Sequence, residues 1–275
     1  MLSWGGVVAL KPAAVGKSRL GVLPVPLRER LALMMALDSL TAIAAATDRL
    51  LVITDDPNLP GILAQEDIDA EVLAEPDGGG LNAALSAGDL ALREADCDHV
   101  LAAVGDLPAL TAESVTAFLA AAAVRAVPGR AFVPDRSGVG TTLLAASGVA
   151  LNPLFGGQSA AAHRDSGAVP IDDLDLPGLR SDVDAPADLP PAIEVGVGRY
   201  TASLVAPQDR DLAEYVPVTV AGPVGDQTDE YAVITDSGVR LRLASAVLDR
   251  RIRFLRAGQR LHAVRAGDAV LSAWF

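Results

Sequence analysis

The sequence predicts an α/β protein in which a mostly parallel, twisted sheet carries helices on both faces, followed by a small C-terminal β domain. Short aliphatic runs alternate with helical stretches up to about residue 190. Those runs are continuously apolar, which is typical of strands that are buried on both faces. Alternating polar and apolar residues then replace this pattern, which is typical of half-exposed strands. We therefore expect one domain over residues 1–195 and a second over residues 206–275.

The elements of the first domain follow from this pattern. Strands are expected at 6–10, 49–54, 71–74, 99–103, 131–134 and 141–145. Apolar residues recur near a period of 3.6 in the long helices that are expected at 26–46, 80–95 and 111–124. Ligands of such sheets bind beyond the carboxyl ends of the strands, so polar motifs that follow strands should converge there.

The pattern of polar and apolar residues is different in the C-terminal part. Residues 207–217 are polar and flanked by proline, which indicates a linker or an extended entry into the next domain. Turn residues at 236–238, 257–258 and 266–268 then separate alternating segments. This spacing predicts a small antiparallel barrel or sandwich.

Composition excludes several classes of function. A net charge of −13 disfavours nonspecific binding to nucleic acid or to an anionic membrane surface. The single cysteine, Cys97, rules out an intramolecular disulfide or a multi-cysteine zinc site and fits a reducing compartment. No apolar run resembles a secretory signal or reaches the length of a membrane span. We expect a cytoplasmic protein whose partners do not include a membrane or nucleic acid.

Both lysines of the chain, Lys11 and Lys17, lie in the loop after the first predicted strand, together with Arg19. Every other cationic side chain is an arginine. An ammonium group can approach a phosphate from many directions, and a loop between a strand and a helix often presents donors to an anion. The loop is interpreted as a phosphate grip. A solvated surface loop is the alternative, since G-K-S without the upstream glycine is not a P-loop.

Three aspartates follow the predicted strands. Asp106 comes directly after the strand at 99–103, and Asp182 and Asp184 are two residues apart in an extended segment, where side chains point the same way. Together they form the oxygen-only ligand set that Mg²⁺ prefers. The alternatives are that Asp106 only caps a turn and that the D-V-D segment only caps a helix with Asp188 in its first turn.

Two glycine-rich segments, P-D-R-S-G-V-G-T-T-L-L and N-P-L-F-G-G-Q-S, contain loops that flank one predicted hairpin. Taken separately, each could be an ordinary glycine-rich loop. Thr141, Thr142 and Ser159 supply hydroxyl donors there, and Gly156 permits close approach of the backbone, which suits a small phosphorylated acid. His163 is either a substrate contact or a helix residue that is satisfied by a backbone carbonyl.

Six motifs occur in order over roughly residues 5–190: L-K-P-A-A-V-G-K-S-R-L, G-L-N-A-A-L, G-D-L-P-A-L, V-P-D-R-x-G-x-G-T-T-L-L, F-G-x-x-S-x₃-H and D-V-D-x-P-x-D-L. Together they resemble the guanylyltransferases of coenzyme F420 biosynthesis, which have a nucleotidyltransferase fold and join GTP to phosphoenolpyruvate or 2-phospho-L-lactate. The resemblance implies GTP contacts by Lys11, Lys17, Gly80 and Asn82, a Mg²⁺ site at Asp106, Asp182 and Asp184, phosphoenolpyruvate contacts by Thr141, Gly156 and Ser159, and catalytic roles for Lys17, Arg19 and Asp106.

The reaction that this resemblance implies is attack by a substrate phosphate oxygen on the α-phosphorus of GTP, with release of pyrophosphate. Phosphoenolpyruvate is favoured as the acid because the arginine-rich, lysine-poor composition suggests a high-GC source; 2-phospho-L-lactate is the alternative. A sugar-phosphate nucleotidyltransferase would not explain the F-G-x-x-S-x₃-H segment. A scaffold or regulatory protein that acts through the C-terminal domain, by dimerisation or by docking a pathway enzyme, is the alternative of another class.

Overall fold

The computed structural model describes residues 3–12, 20, 23–205, 214–224, 229–249 and 252–275. The chain divides into two compact units, one formed by the described residues of 1–20 and 32–198, the other by those of 21–31 and 199–275. The long segments of the two units are separated in sequence after Gly198. The sequence pattern did not predict that residues 21–31 group with the C-terminal unit.

The first unit is built on a seven-stranded sheet whose order is β3-β2-β1-β4-β6-β5-β7. All neighbouring strands run parallel except β6, which is antiparallel to both β4 and β5. The predicted mostly parallel sheet is therefore confirmed. The strands are β1 (Trp4–Ala9), β2 (Arg49–Ile53), β3 (Glu71–Leu73), β4 (His99–Ala103), β5 (Gly129–Pro134), β6 (Thr141–Ser147) and β7 (Val169–Pro170).

The three long helices begin and end within two residues of their predicted bounds. Thr111 caps one of them by accepting a hydrogen bond from the N–H of Ser114. The helices in the described part of the chain are α1 (Val25–Ala46), α2 (Leu59–Gln65), α3 (Gly80–Glu94), α4 (Ala112–Arg125), α5 (Ser159–Asp165), α6 (Leu189–Val195) and α7 (Arg199–Ala202).

Two successive glycines of β1 show that helices cover both faces of the sheet. A Cβ atom added to Gly5 would lie 2.7 Å from Leu92 of α3, whereas one added to Gly6 would lie 2.8 Å from Ile43 of α1. Successive side-chain directions on a strand point to opposite faces. Helices α3 and α1 therefore pack on opposite faces, as predicted, and the absence of side chains at both glycines lets the two helices approach closely.

Strand β6 determines what lies at the carboxyl edge of the sheet. The carboxyl ends of β1 and β4 lie side by side, with Val8 paired to Ala103. Because β6 runs the other way, its first residue, Thr141, lies at the same edge and pairs with Pro134 at the end of β5. The carboxyl ends of β1, β4 and β5 therefore lie at the same edge of the sheet as the beginning of β6.

The second unit contains a closed five-stranded barrel with strand order β10-β12-β11-β8-β9. Its neighbours are antiparallel except for β10 and β12, which are parallel, so the expected barrel is present with one parallel pairing. Of the linker expected at 207–217, the residues before 214 lie outside the described part, and the rest begin β8. The strands are β8 (Glu214–Pro223), β9 (Glu230–Thr235), β10 (Arg240–Ala244), β11 (Arg260–Ala266) and β12 (Ala269–Trp274).

Candidate active site

A cavity of about 620 Å³ lies at the carboxyl edge of the sheet in the first unit. Predicted site residues that are far apart in the chain line this cavity together: Asp106, Thr141, Gly156, Ser159, Asp182 and Asp184. Its size is within the range of pockets that bind small molecules.

A backbone hydrogen bond brings the aspartate segments together. The N–H of Val183 donates to the carbonyl of Asp106 over 3.0 Å. The Val183 side chain is fully buried and anchors the segment in the core. Since neighbours in an extended segment point the opposite way, Asp182 and Asp184 face the cavity from either side of this anchor.

The cavity is strongly acidic. Burial, and then the charges of Asp106, Asp135 and Asp184, raise the pKa of Asp182 to about 7. Carboxylates that repel each other in this way favour either a bound proton or a bound cation. The electrostatics therefore fit an oxygen-ligated divalent cation.

The sequence did not single out Asp135, although this residue lies within the motif that begins V-P-D-R. Its carboxylate accepts hydrogen bonds from the Val139 N–H at 2.9 Å and from the Ser137 hydroxyl. A Cβ atom at Gly140 would lie 2.6 Å from the same carboxylate. Asp135 therefore shapes the loop before β6 and adds negative charge to the cavity, and an Asp at the start of a glycine-containing turn was the signal that could have revealed it.

The expected three-aspartate cage is not preassembled. Within the described residues, no three His, Cys, Asp or Glu side chains form a group that could by itself hold a metal ion. Mg²⁺ usually binds one or two carboxylates together with substrate phosphate oxygens and water. The carboxylates that line the cavity fit that mode, in which the substrate completes the ligand shell.

The capping interpretation applies to Asp188. Its Oδ2 accepts hydrogen bonds from the N–H groups of Asp184 and Ala185, at 3.0 and 2.7 Å. Asp182 and Asp184, in contrast, line the cavity. The capping alternative therefore holds for Asp188, and a magnesium site at Asp182 and Asp184 stays a prediction.

His163 does not line the cavity, and one of its hydrogen bonds is with the backbone of Ser159, as the second interpretation expected. The side chain is fully buried. Its Nδ1 lies 2.9 Å from the Thr141 hydroxyl, and its Nε2 accepts the Leu154 N–H at 2.9 Å. Burial, followed by the charge of Arg130, lowers the pKa of His163 to about 4, so the ring is neutral at physiological pH.

The two residues predicted to contact the nucleoside, Asn82 and Gly80, do not line this cavity. Both ends of the Asn82 carboxamide bond the backbone of Phe155, with Nδ2 donating at 3.0 Å and Oδ1 accepting at 2.8 Å. Asn82 thus holds the loop that carries Gly156. Gly80 is exposed at the beginning of α3 and adopts a φ of 65°, which favours glycine. Nucleoside contacts by these residues stay predictions.

A second cavity of about 310 Å³ adjoins the first and shares Leu81, Val104 and Asp106 with it. Its walls are mainly apolar, and Lys11, Thr54 and Asp56 contribute polar groups. Lys17 and Arg19, the other two cationic residues of the predicted phosphate grip, lie outside the described residues. An apolar cavity joined to an acidic one at a shared carboxylate suits a nucleoside triphosphate beside a second substrate.

A sheet of this kind with a cavity at its carboxyl edge is typical of α/β proteins that bind nucleotides. Residues 23–172 match the family model of the MobA-like NTP transferase domain. The chain belongs to this family and is a nucleotidyltransferase.

Curated relatives are similar over most of their length. A protein of Mycolicibacterium gilvum named phosphoenolpyruvate guanylyltransferase is 44% identical over 209 residues, which cover 74% of this chain and 94% of the relative. A protein of Geodermatophilus obscurus with the same name is 41% identical over 211 residues, with the same coverage. About a quarter of this chain therefore lies outside each alignment.

A solved structure supports the fold. The crystal structure of a protein from Desulfovibrio desulfuricans G20, assigned to the nucleotide-diphospho-sugar transferases, superposes with a TM-score of 0.55 at 16% identity and covers 74% of this chain and 91% of its own. None of the described helices combines the length and apolarity needed to span a membrane.

Proposed function

We propose that the protein is a guanylyltransferase of coenzyme F420 biosynthesis that joins GTP to phosphoenolpyruvate and forms enolpyruvoyl-diphospho-guanosine and pyrophosphate. One observation carries the proposal: Asp106 lies where the mainly apolar cavity meets the acidic cavity that contains Thr141, Gly156 and Ser159. Two substrates that occupy these cavities would meet at this carboxylate. The names of the curated relatives support the choice of both substrates.

The mainly apolar cavity suits a purine base. Leu10, Leu33 and Leu59 supply apolar contact area, and Asp56 contributes a carboxylate to the same cavity lining. A carboxylate accepts the adjacent N1–H and N2–H₂ donors of guanine, whereas adenine presents an unprotonated N1 that would repel it. Lys11 lines the same cavity and offers a charge for a phosphate group.

The acidic cavity suits the phosphorylated acid and the cation. The hydroxyls of Thr141 and Ser159 line it and can donate to a carboxylate or phosphate. Gly156, which has a φ of 104°, carries no side chain that would cover its backbone. Mg²⁺ would be held by Asp106, Asp182 and Asp184 together with substrate oxygens. When bound, it offsets negative charge on the reacting phosphates.

The reaction needs orientation and charge compensation more than proton transfer. A phosphate oxygen of the acid attacks the α-phosphorus of GTP, a new P–O bond forms, and the bond from the α-phosphorus to the bridging β-phosphate oxygen breaks. The nucleophile is already anionic, so no general base is required. Holding the two anions in line can contribute about 7–11 kcal/mol to lowering the barrier.

Pyrophosphate release tests the proposal. We expect release when the protein is incubated with Mg²⁺, GTP and phosphoenolpyruvate, and less with ATP or with 2-phospho-L-lactate. The Asp56→Asn variant should lose about tenfold of its preference for GTP over ATP, since a paired donor–acceptor contact contributes on the order of 1.5–3 kcal/mol when charged.

Asp55→Asn is the matched control, because Asp55 is exposed and does not line the cavity. Equal losses in both variants would remove Asp56 from base recognition. Preference for 2-phospho-L-lactate would replace the proposed acid, and no release with either acid would end the proposal.

The C-terminal barrel is the basis of the alternative proposal, a scaffold or regulatory protein. Several of its arginines are paired with acids of the same barrel, including Arg242 with Glu230 and Arg265 with Glu214. This pairing favours a solvated outer surface over a nucleic-acid site. Dimerisation or docking of a pathway enzyme through the barrel stays a proposal.

Removal of residues 206–275 separates these alternatives. Because the residues of both cavities belong to the first unit, we expect turnover close to that of the intact chain and a change only in oligomeric state or partner binding. Thermal unfolding must first show that the shortened chain is folded. A large loss of turnover in a folded, shortened chain would contradict a docking role.

A further inference from the structure

The hydrogen bonds around His163 determine its tautomer. A neutral imidazole carries one N–H and one unprotonated nitrogen. The Leu154 N–H donates to Nε2 at 2.9 Å, so Nε2 is the unprotonated nitrogen and the proton lies on Nδ1. The Nδ1–H then donates to the Thr141 hydroxyl oxygen at 2.9 Å, and the backbone of Ser159 is a further hydrogen-bond partner of the ring. The hydroxyl hydrogen of Thr141 must consequently point away from His163.

The imidazole is held in this arrangement by aromatic rings. Phe132 of β5 lies 5.7 Å from it, and Phe155 lies 5.2 Å away in an edge-to-face arrangement. Arg130, also on β5, is the charged neighbour that acts on the ring and disfavours its protonation. Within the described residues, the Thr141 hydroxyl has no other hydrogen-bond partner, and Thr141 lines the acidic cavity.

We propose that His163 is a positioning residue that orients the Thr141 hydroxyl as a hydrogen-bond donor toward an anionic group of the acid substrate. This inference rests on the proposed function, in which Thr141 contacts the acid. His163 does not touch the substrate. It acts by occupying an acceptor site of the hydroxyl, so that the remaining hydrogen is directed to the cavity and selects an anion over a ligand that offers only donors.

Two conservative variants separate the hydrogen bond between His163 and Thr141 from the one between His163 and Leu154. The Asn side chain in His163→Asn can place its N–H₂ near the Nδ1 position and keep the donor to Thr141. The Gln side chain in His163→Gln can place its oxygen near Nε2 and keep the acceptor for Leu154. We expect His163→Gln to raise the KM for phosphoenolpyruvate about tenfold with the KM for GTP unchanged. His163→Asn, which keeps the donor to Thr141, should have a KM for phosphoenolpyruvate close to that of the wild type.

A double-mutant cycle with Thr141→Val tests whether His163 acts through Thr141. Thr141→Val alone should raise the same KM by a similar factor, and adding His163→Gln to it should cost nothing more. Additive losses, or equal effects on the KM values for both substrates, would show a merely structural role and overturn the inference.

Two measurements keep this test separate from the proposed function. Calorimetric titration of phosphoenolpyruvate into the protein with Mg²⁺ and α,β-methylene GTP needs no turnover, and the same coupling is expected in the dissociation constant. If no pyrophosphate is released but the coupling is present, the proposed function fails and the inference stands; an absence of binding by the wild-type protein overturns the inference.

Nitrogen-15 NMR of the His163 ring, assigned by its loss in the variants, should show a neutral Nδ1–H tautomer, and an Nε2–H or charged ring at neutral pH would overturn it.

Discussion

Asp106→Asn is expected to lower the turnover number by about 100-fold or more, the scale of losing one preorganised charge stabiliser. Asp106 is the carboxylate shared by the two cavities, and its charge contributes to the raised pKa of Asp182. Asparagine keeps the shape and the backbone carbonyl that accepts the Val183 N–H, so the local fold should survive. The loss should therefore appear in turnover and in the dependence on Mg²⁺ rather than in stability.

Steady-state rates of pyrophosphate release at saturating GTP, phosphoenolpyruvate and Mg²⁺ provide the measurement. Asp98→Asn is the control, because Asp98 is exposed and lines neither cavity. Its turnover should remain close to that of the wild type, since an isolated surface charge contributes little. Near-normal turnover in a folded Asp106→Asn protein would remove Asp106 from the catalytic machinery.

Asp182→Asn is expected to act in opposite directions on stability and activity. Burial, and then the charges of Asp106, Asp135 and Asp184, raise the pKa of Asp182 from 3.8 to about 7 in the folded protein. A carboxyl group with a raised folded pKa contributes stability that is fully present below about pH 4 and is lost as the pH rises to about 7. At neutral pH and without metal, its charge therefore destabilises the folded state. Asparagine removes that charge.

Thermal unfolding without divalent cations should show a higher Tm for Asp182→Asn than for the wild type at pH 7.5, by roughly 2–4 °C for each kcal/mol of relieved repulsion. The difference should shrink toward pH 5, where Asp182 of the wild type is protonated. Mg²⁺ should stabilise the wild type more than the variant, and turnover of the variant should fall by about 100-fold. A lower metal-free Tm at pH 7.5, or an unchanged response to Mg²⁺, would contradict a cation site at Asp182.

The regular elements of the first unit were predictable because their pattern is local. Strand β4 has its predicted bounds, and α3 differs by one residue at its end. Continuous aliphatic runs and a 3.6-residue period depend only on neighbours in sequence. Helix α2 was missed because it is short, contains a glycine and a proline, and buries only Leu59 and Leu63, so it has almost no periodic signal.

The reversed direction of β6 was not predictable from its aliphatic sequence, since parallel and antiparallel strands in a covered sheet share the same composition. Its direction brings Thr141 to the carboxyl edge, opposite Pro134. The roles of Asn82 and His163 depend on the same packing. Asn82 bonds Phe155, 73 residues away, and His163 bonds Thr141, 22 residues away.

The sequence alone determined the order of the long helices and main strands, the change of residue pattern near residue 190 and the residue types of the candidate site, because hydrophobic periodicity and side-chain chemistry are carried by each segment. Only the tertiary structure decided which of those residues share a cavity, that Asp135 joins the acidic group, and that Asn82 and His163 support other groups. Strand direction and register set these distances, and both are determined by packing between segments that are remote in the chain.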